Sequence, residues 1–161
     1  MYTLYITRHA KSSWASPGLD DFDRPLNERG LRDAPLMARQ FAERKEPVPL
    51  LVSSTANRAL STARAFAKAL GGVPIKEQPS IYHASLEQLM EAVGHLPADA
   101  RSVMLFGHNP GLSELVEHLT DENLGTIAPC TTVRIDLHTG SWKEVAAGTG
   151  RVAWWQAPGH P

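Results

Sequence analysis

Three short apolar runs, each followed by a helix-length amphipathic stretch, restrict this chain's fold more than any other feature. They are Tyr2 to Thr7, Leu50-Leu51-Val52 and Ser102 to Phe106. The first reaches its helix through a loop from Lys11 to Pro25 dense in Ser, Pro, Gly and Asp, the other two through a few small or polar residues. The first is rich in aromatic and β-branched residues and apolar on both faces, the mark of a strand covered on both sides; the other two read the same way. Between Glu28 and about Arg44, Leu31, Ala34, Met37, Ala38 and Phe41 fall at helical spacing. Pro35 should sit in an early turn or kink that helix, and Pro47 and Pro49 end it.

A second helix is expected from about Ala56 to Leu70, with Leu60, Ala63, Phe66, Ala67 and Leu70 on one stripe. Ser53-Ser54-Thr55 offers capping side chains before it and Gly71-Gly72 a stop after it. Val73 to Glu77 reads as an edge strand, and Ser85-x-x-Gln88 as a capping box ahead of Leu86, Leu89, Met90 and Val93. After the third run, Asn109 should cap and Pro110 should open a short helix carrying Leu112, Leu115, Val116 and Leu119. Val133, Ile135 and Leu137 alternate as a strand, and the expectation is a turn at 138–141 and a return strand from Trp142 to Ala146. Strands alternating with helices and closed by a hairpin indicate an α/β fold with a mostly parallel sheet.

The chain of 161 residues, 42% of them apolar, can bury one substantial core and is read as a single domain over 1–161. A net charge of −1 and the lack of any basic run leave no field to gather nucleic acid or an anionic membrane, so phosphate attraction must be local. Cys130 is the only cysteine, which excludes an internal disulfide and a cysteine-based zinc site; it is expected to be buried and inert. Without a leader pattern or a span of about 20 apolar residues, the expectation is a soluble, cytoplasmic protein.

In open α/β sheets ligands bind beyond the carboxyl ends of the strands. Arg8-His9 follows the first run, Arg58 lies in the helix turn after the second, and His108 follows the third. These four residues should therefore converge, with two helix N-termini supplying amide hydrogens to an anion. Two arginines can grip a phosphoryl group, and a neutral His9 can attack phosphorus through one ring nitrogen if a backbone carbonyl holds the other as a donor. Water would then release phosphate from the phosphohistidine. His108 best fits a donor to a phosphoryl oxygen, protonated when the site is occupied. The arginines carry the positive charge that a metal would otherwise bring, so no cofactor or metal is expected.

With these residues in place, the chain resembles the histidine phosphatase superfamily, and within it the small SixA-type phosphohistidine phosphatases. The matching stretches are Thr7-Arg8-His9-Ala10-Lys11-Ser12-Ser13-Trp14, Asp21 to Gly30, Val52 to Ala59 with Thr62-Ala63, and Phe106-Gly107-His108-Asn109-Pro110-Gly111. The resemblance implies a three-layer α/β/α, phosphoglycerate mutase-like fold. It also implies His9 as nucleophile, Arg8 and Arg58 as phosphate ligands, His108 completing the pocket, and Arg24 entering it from the loop. Arg24 has a rival role, pairing with Asp20, Asp21 or Asp23 to hold that loop. The family's usual Arg-His-Gly is Arg-His-Ala here, a change the SixA-like branch often shows.

Larger members of the superfamily carry a carboxylic acid that protonates the leaving oxygen. Glu77, Glu87 and Glu91 do not read as one. Imidazole leaves with a pKa of about 6.5, whereas an alkoxide needs a donated proton, so the missing acid favours phosphohistidine on a protein, a phosphotransfer domain or phosphocarrier. About thirty residues between Leu70 and Arg101 leave little chain for a cap. The alternatives are a phosphatase or mutase acting on small phosphate esters, and a phosphate-binding module without turnover. His83, His95, His118, His138 and His160 lack metal-ligand spacing and read as surface or structural residues, and Trp154-Trp155 reads as core closure.

Overall fold

The computed structural model describes residues 1–160. Its strands are β1 (Tyr2–Arg8), β2 (Leu50–Ser53), β3 (Ile75–Glu77), β4 (Ser102–Gly107), β5 (Thr132–Leu137) and β6 (Gly150–Gln156), and its helices α1 (Glu28–Ala42), α2 (Asn57–Ala69), α3 (Leu86–Gly94) and α4 (Gly111–Thr120). The sheet order is β3-β2-β4-β1-β5-β6. The first four strands in that order run parallel, β5 pairs antiparallel to β1, and β6 pairs antiparallel to β5.

The double-sided strands explain the layers. Tyr5, Leu51, Met104 and Phe106 face one side of the sheet and pack with Met37, Phe41, Ala63 and Phe66 of α1 and α2. Leu4, Ile6, Val52, Val103 and Leu105 face the other side and pack with Leu89 and Val93 of α3 and Leu112, Leu115 and Leu119 of α4. Successive residues of a strand point to opposite faces, so these runs could be apolar throughout only with helices on both sides. A three-layer α/β/α architecture results.

Some local expectations are corrected. Trp142 to Ala146 is not a strand: Trp142–Glu144 is a 3-10 turn, and the chain returns as β6 from Gly150. Trp142 is driven inward instead, edge-on to Tyr2 with ring centroids 5.0 Å apart, its indole N–H donating to the Ala100 carbonyl at 2.7 Å. Pro110 precedes α4 rather than opening it, although Asn109 does cap, accepting from the Ser113 amide at 3.2 Å.

Leu31 is exposed, because Gly30 takes the inward position of that turn. A Cβ on Gly30 would stand 2.1 Å from the Lys11 carbonyl oxygen, so only glycine lets α1 press against the loop leaving β1. Pro35 lies inside α1, and the Ser85–Gln88 capping box is present as read. Trp154 is half-buried against Tyr5 and Phe41, while Trp155 is exposed and stacks on His160. No described helix is long and apolar enough to cross a membrane.

Candidate active site

Arg8 is the last residue of β1, Arg58 lies in the first turn of α2 after β2, and His108 stands between β4 and α4. Together with His9, Lys11, Ser12, Trp14, Asp21, Arg24, His83, Asn109 and Pro129 they line one cleft of about 280 Å³ at the carboxyl ends of the parallel strands. The four residues placed together by the strand argument are thus brought together, and Arg24 joins them. The ends of β1 and α2 are tied by Thr62, whose hydroxyl donates to the Arg58 carbonyl at 2.9 Å and accepts from the Ala10 amide at 2.9 Å. The Cys130 amide bonds the Arg8 and His9 carbonyls, both at 3.1 Å, and its buried thiol is pushed up to about 12 by burial.

His9 is buried. Its Nδ1 lies 2.8 Å from the Ala10 carbonyl, which can only accept, so Nδ1 carries the hydrogen and the neutral ring keeps its lone pair on Nε2. Burial first, and then the charges of Arg58, Arg8 and Arg24, push its pKa down to about 4 despite that carbonyl. His108 sits beside it, ring centroids 5.2 Å apart, with Nε2 2.7 Å from the Ser54 hydroxyl. Burial, then His9, Arg58 and His83, push it down to about 3. The protein's own surroundings therefore hold His108 neutral, and the protonated donor expected from sequence needs the negative charge of a phosphoryl group.

Three buried nitrogens of this cluster find no partner among the described residues: Arg8 Nε, Arg58 Nε and His108 Nδ1. Their neighbours on the same side chains are committed. Arg8 donates to the Ile127 carbonyl at 2.9 Å, and Arg58 donates to the Asp21 carbonyl at 2.7 Å and carboxylate at 2.9 Å. Arg24 combines its two expected roles: it pairs with Asp21 at 3.1 Å, donates to the Ser12 hydroxyl at 3.0 Å, stacks on Trp14 at 3.4 Å and still lines the cleft.

Sequence reasoning missed Asp21 as the hub, and it missed His83, Tyr82 and Ser54. Asp21 accepts from Arg24, Arg58, Tyr82 at 2.6 Å and His83 at 2.8 Å. Burial favours its protonated form, but the hydrogen bonds from Tyr82, His83 and Arg58 outweigh it and hold the carboxyl well below the usual carboxylate range. Asp21 is therefore an ionised clamp. Glu77, Glu87 and Glu91 are exposed and none lines the cleft. Among the described residues no group of three His, Cys, Asp or Glu side chains is placed to hold a metal ion.

The chain is similar over nearly its whole length to a crystal structure from Agrobacterium tumefaciens assigned to phosphohistidine phosphatase SixA, at 31% identity and a TM-score of 0.85, covering 98% of each chain. A second structure so assigned, from Nakamurella multipartitia, is 27% identical with a TM-score of 0.83, covering 98% of this chain and 96% of that one. An uncharacterized protein of Mycobacterium tuberculosis is 27% identical in an alignment of 160 positions that covers 94% of this chain and 99% of that protein. The family profile of the histidine phosphatase superfamily, branch 1, matches residues 4–89, the span holding Arg8, His9, Arg24 and Arg58. A cleft built where β1, β2 and β4 end, and a profile match over more than half of the chain, lead to one assignment: the chain belongs to the histidine phosphatase superfamily.

Proposed function

We propose that the protein is a metal-independent phosphatase that works through a phosphohistidine on His9 and removes phosphate from phosphohistidine on another protein. The observation that carries this reading is the pinned tautomer of His9, with Nδ1 spent on Ala10 and Nε2 left nucleophilic among the guanidinium groups of Arg8, Arg58 and Arg24. In the first step Nε2 attacks phosphorus and the bond to the leaving group breaks. The arginines and His108 bind the equatorial oxygens, for which Arg8 Nε, Arg58 Nε and His108 Nδ1 are unspent. Water then attacks the phosphoenzyme, phosphate leaves, and His9 recovers its electron pair.

Two features support phosphohistidine as substrate. Asp21, the one carboxylate lining the cleft among the described residues, is held ionised, so none of them stands ready as a carboxylic acid to protonate a basic leaving group. Between α2 and β4 the chain forms only β3, a 3-10 turn and α3, with no added cap, leaving the cleft accessible to a side chain presented by a protein. The SixA assignment of the 31% identical structure points the same way.

The test compares wild type and His9→Ala, in chelator, on a phosphohistidine protein, phosphoglycerate and an aryl phosphate. The expected result is fastest turnover of the phosphohistidine protein, an acid-labile and alkali-stable phosphoenzyme, and neither with His9→Ala. Equal rates for the two proteins would remove His9 as nucleophile. Turnover confined to small esters would assign a phosphoesterase, and tight binding without release of phosphate a binding module.

A further inference from the structure

His83 is the third histidine of the cleft, and the phosphatase scheme gives it no task. It sits between Tyr82 and Ala84 at φ +48°, a left-handed backbone that a residue with a Cβ adopts at a cost. The segment is nonetheless fixed from several sides. The Tyr82 hydroxyl and His83 Nε2 both reach Asp21 Oδ2, at 2.6 and 2.8 Å. The His83 ring stacks on His108, centroids 5.2 Å apart and planes 30° from parallel, so His108 neighbours both His9 and His83. On the other side, a Cβ on Gly111 would stand 2.5 Å from the Ala84 carbonyl oxygen, so the start of α4 is packed directly against this segment. Strained backbone held by this many contacts at the wall of a chemical cleft directs attention to function.

The tautomer follows from the partners. Asp21 is ionised and can only accept, so the hydrogen on Nε2 belongs to the bond with Asp21. The nitrogen left to exchange protons is Nδ1, which makes no hydrogen bond to a described residue, on a side chain that is half-exposed and lines the cleft. A carboxylate that orients one imidazole nitrogen while the other handles a proton is an arrangement suited to general acid and base work. His108 is less suited to it, being buried, held neutral and engaged with Ser54.

We propose that His83 is a proton donor and acceptor for the leaving group and the water, with Asp21 as its positioning residue, and that it gives this site a second activity on phosphate monoesters of basic alcohols. The proposal rests on the phosphohistidine scheme for His9. His83 enters this step as the imidazolium, one hydrogen on Nε2 held by Asp21 and a second on Nδ1. As His9 Nε2 bonds to phosphorus and the phosphorus–oxygen bond breaks, the Nδ1 proton passes to the departing oxygen, which leaves as an alcohol, and the ring is left neutral with its hydrogen on Nε2. As water then attacks the phosphoenzyme, one of its protons returns to Nδ1, the phosphorus–nitrogen bond breaks and phosphate departs. The imidazole thus supplies what a carboxylic acid does not supply here.

The test uses His83→Gly, which suits the positive φ, and His83→Asn, which tolerates it. Both are compared with wild type on 4-nitrophenyl phosphate, whose leaving group needs little protonation, and on glycerol phosphate, whose leaving group needs it. Each variant should lose at least tenfold more kcat on glycerol phosphate than on nitrophenyl phosphate, and added imidazole should restore part of the glycerol phosphate rate to His83→Gly. An equal loss on both substrates, or no loss, with the alkali-stable phosphoenzyme still forming, would overturn the role of His83 alone. Absence of that phosphoenzyme in the wild type would overturn the His9 scheme and the His83 step with it.

Discussion

Arg58 donates to Asp21 twice, at 2.7 Å to its backbone carbonyl and at 2.9 Å to its carboxylate, so the guanidinium behind the nucleophile is aimed by a residue 37 positions earlier in the chain. The same carboxylate also receives Arg24, Tyr82 and His83, so removing its charge weakens four contacts at once.

Asp21→Asn should therefore lower kcat/KM by up to about 10²-fold, the scale expected when reacting groups lose their alignment. Its effect on stability has a definite sign. The folded pKa is depressed, so the ionised carboxyl stabilises the fold above the unfolded pKa of about 3.9, and that contribution is lost as pH falls below it. Urea unfolding of wild type and Asp21→Asn should differ most at pH 6, and the difference should shrink steadily as pH falls below about 3.9. A difference that stays constant from pH 6 down to pH 2 would show that the charge is not what holds the clamp.

The two buried histidines give the same sign, in a higher pH window. Folded His9 and His108 are pushed down to about 4 and about 3, against about 6.5 unfolded. Between those values the unfolded chain binds more protons, so stability falls as pH drops below about 6.5, by up to about 1.4 kcal/mol per pH unit for each ring. Histidine NMR titration should find two rings that remain neutral at pH 5, one missing in His9→Ala and the other in His108→Ala. Midpoints near 6.5 for both would contradict the burial argument.

Much of this site could be read from the chain because its placement follows from the topology. Arg8, His9, Arg58 and His108 each directly follow a buried strand or open the next helix, and parallel strands bring their carboxyl ends together whatever the loops do. Asp21 and His83 have no such address. They lie in a Ser/Pro/Asp-rich loop and a 3-10 connection, and their bond spans 62 residues through side chains, with no periodicity to announce it. Local signals do exist, an aspartate beside Arg24 and a Tyr-His pair ahead of a capping box, but neither specifies its partner. Ser54 has a competing local reading: 53–55 offer caps for α2, but Ala56 takes the N-cap position with no side-chain cap, and the Ser54 hydroxyl accepts from the Ala56 amide at 3.2 Å ahead of the helix and binds His108.

Arg24 divides its guanidinium between Asp21, Ser12 and the Ser13 carbonyl while its face lies on Trp14. Arg24→Ala should raise KM about tenfold, matching the loss of one charge-assisted contact of about 1.5 kcal/mol, with a smaller change in kcat. Arg24→Lys should recover little, because an ammonium cannot keep the planar fork and the stacking together. Steady-state kinetics on both variants check this, and a wild-type KM in Arg24→Ala would reduce Arg24 to a loop fastener.

Trp142 separates packing from hydrogen bonding at the turn that replaced the expected hairpin strand. Its ring is buried edge-on to Tyr2, and its N–H is the side-chain donor to the Ala100 carbonyl at the lead-in to β4. Trp142→Phe keeps most of the apolar contact but leaves that carbonyl without this donor, at an expected cost of about 1 to 3 kcal/mol. Trp142→Ala also opens a cavity, and should cost about 3 to 5 kcal/mol. Denaturant unfolding of the two variants gives the division directly. If phenylalanine costs less than about 0.5 kcal/mol, the hydrogen bond contributes nothing net and the ring alone anchors the turn. If phenylalanine costs as much as alanine, the bond to Ala100 is what holds the β5–β6 connection against the edge of the core.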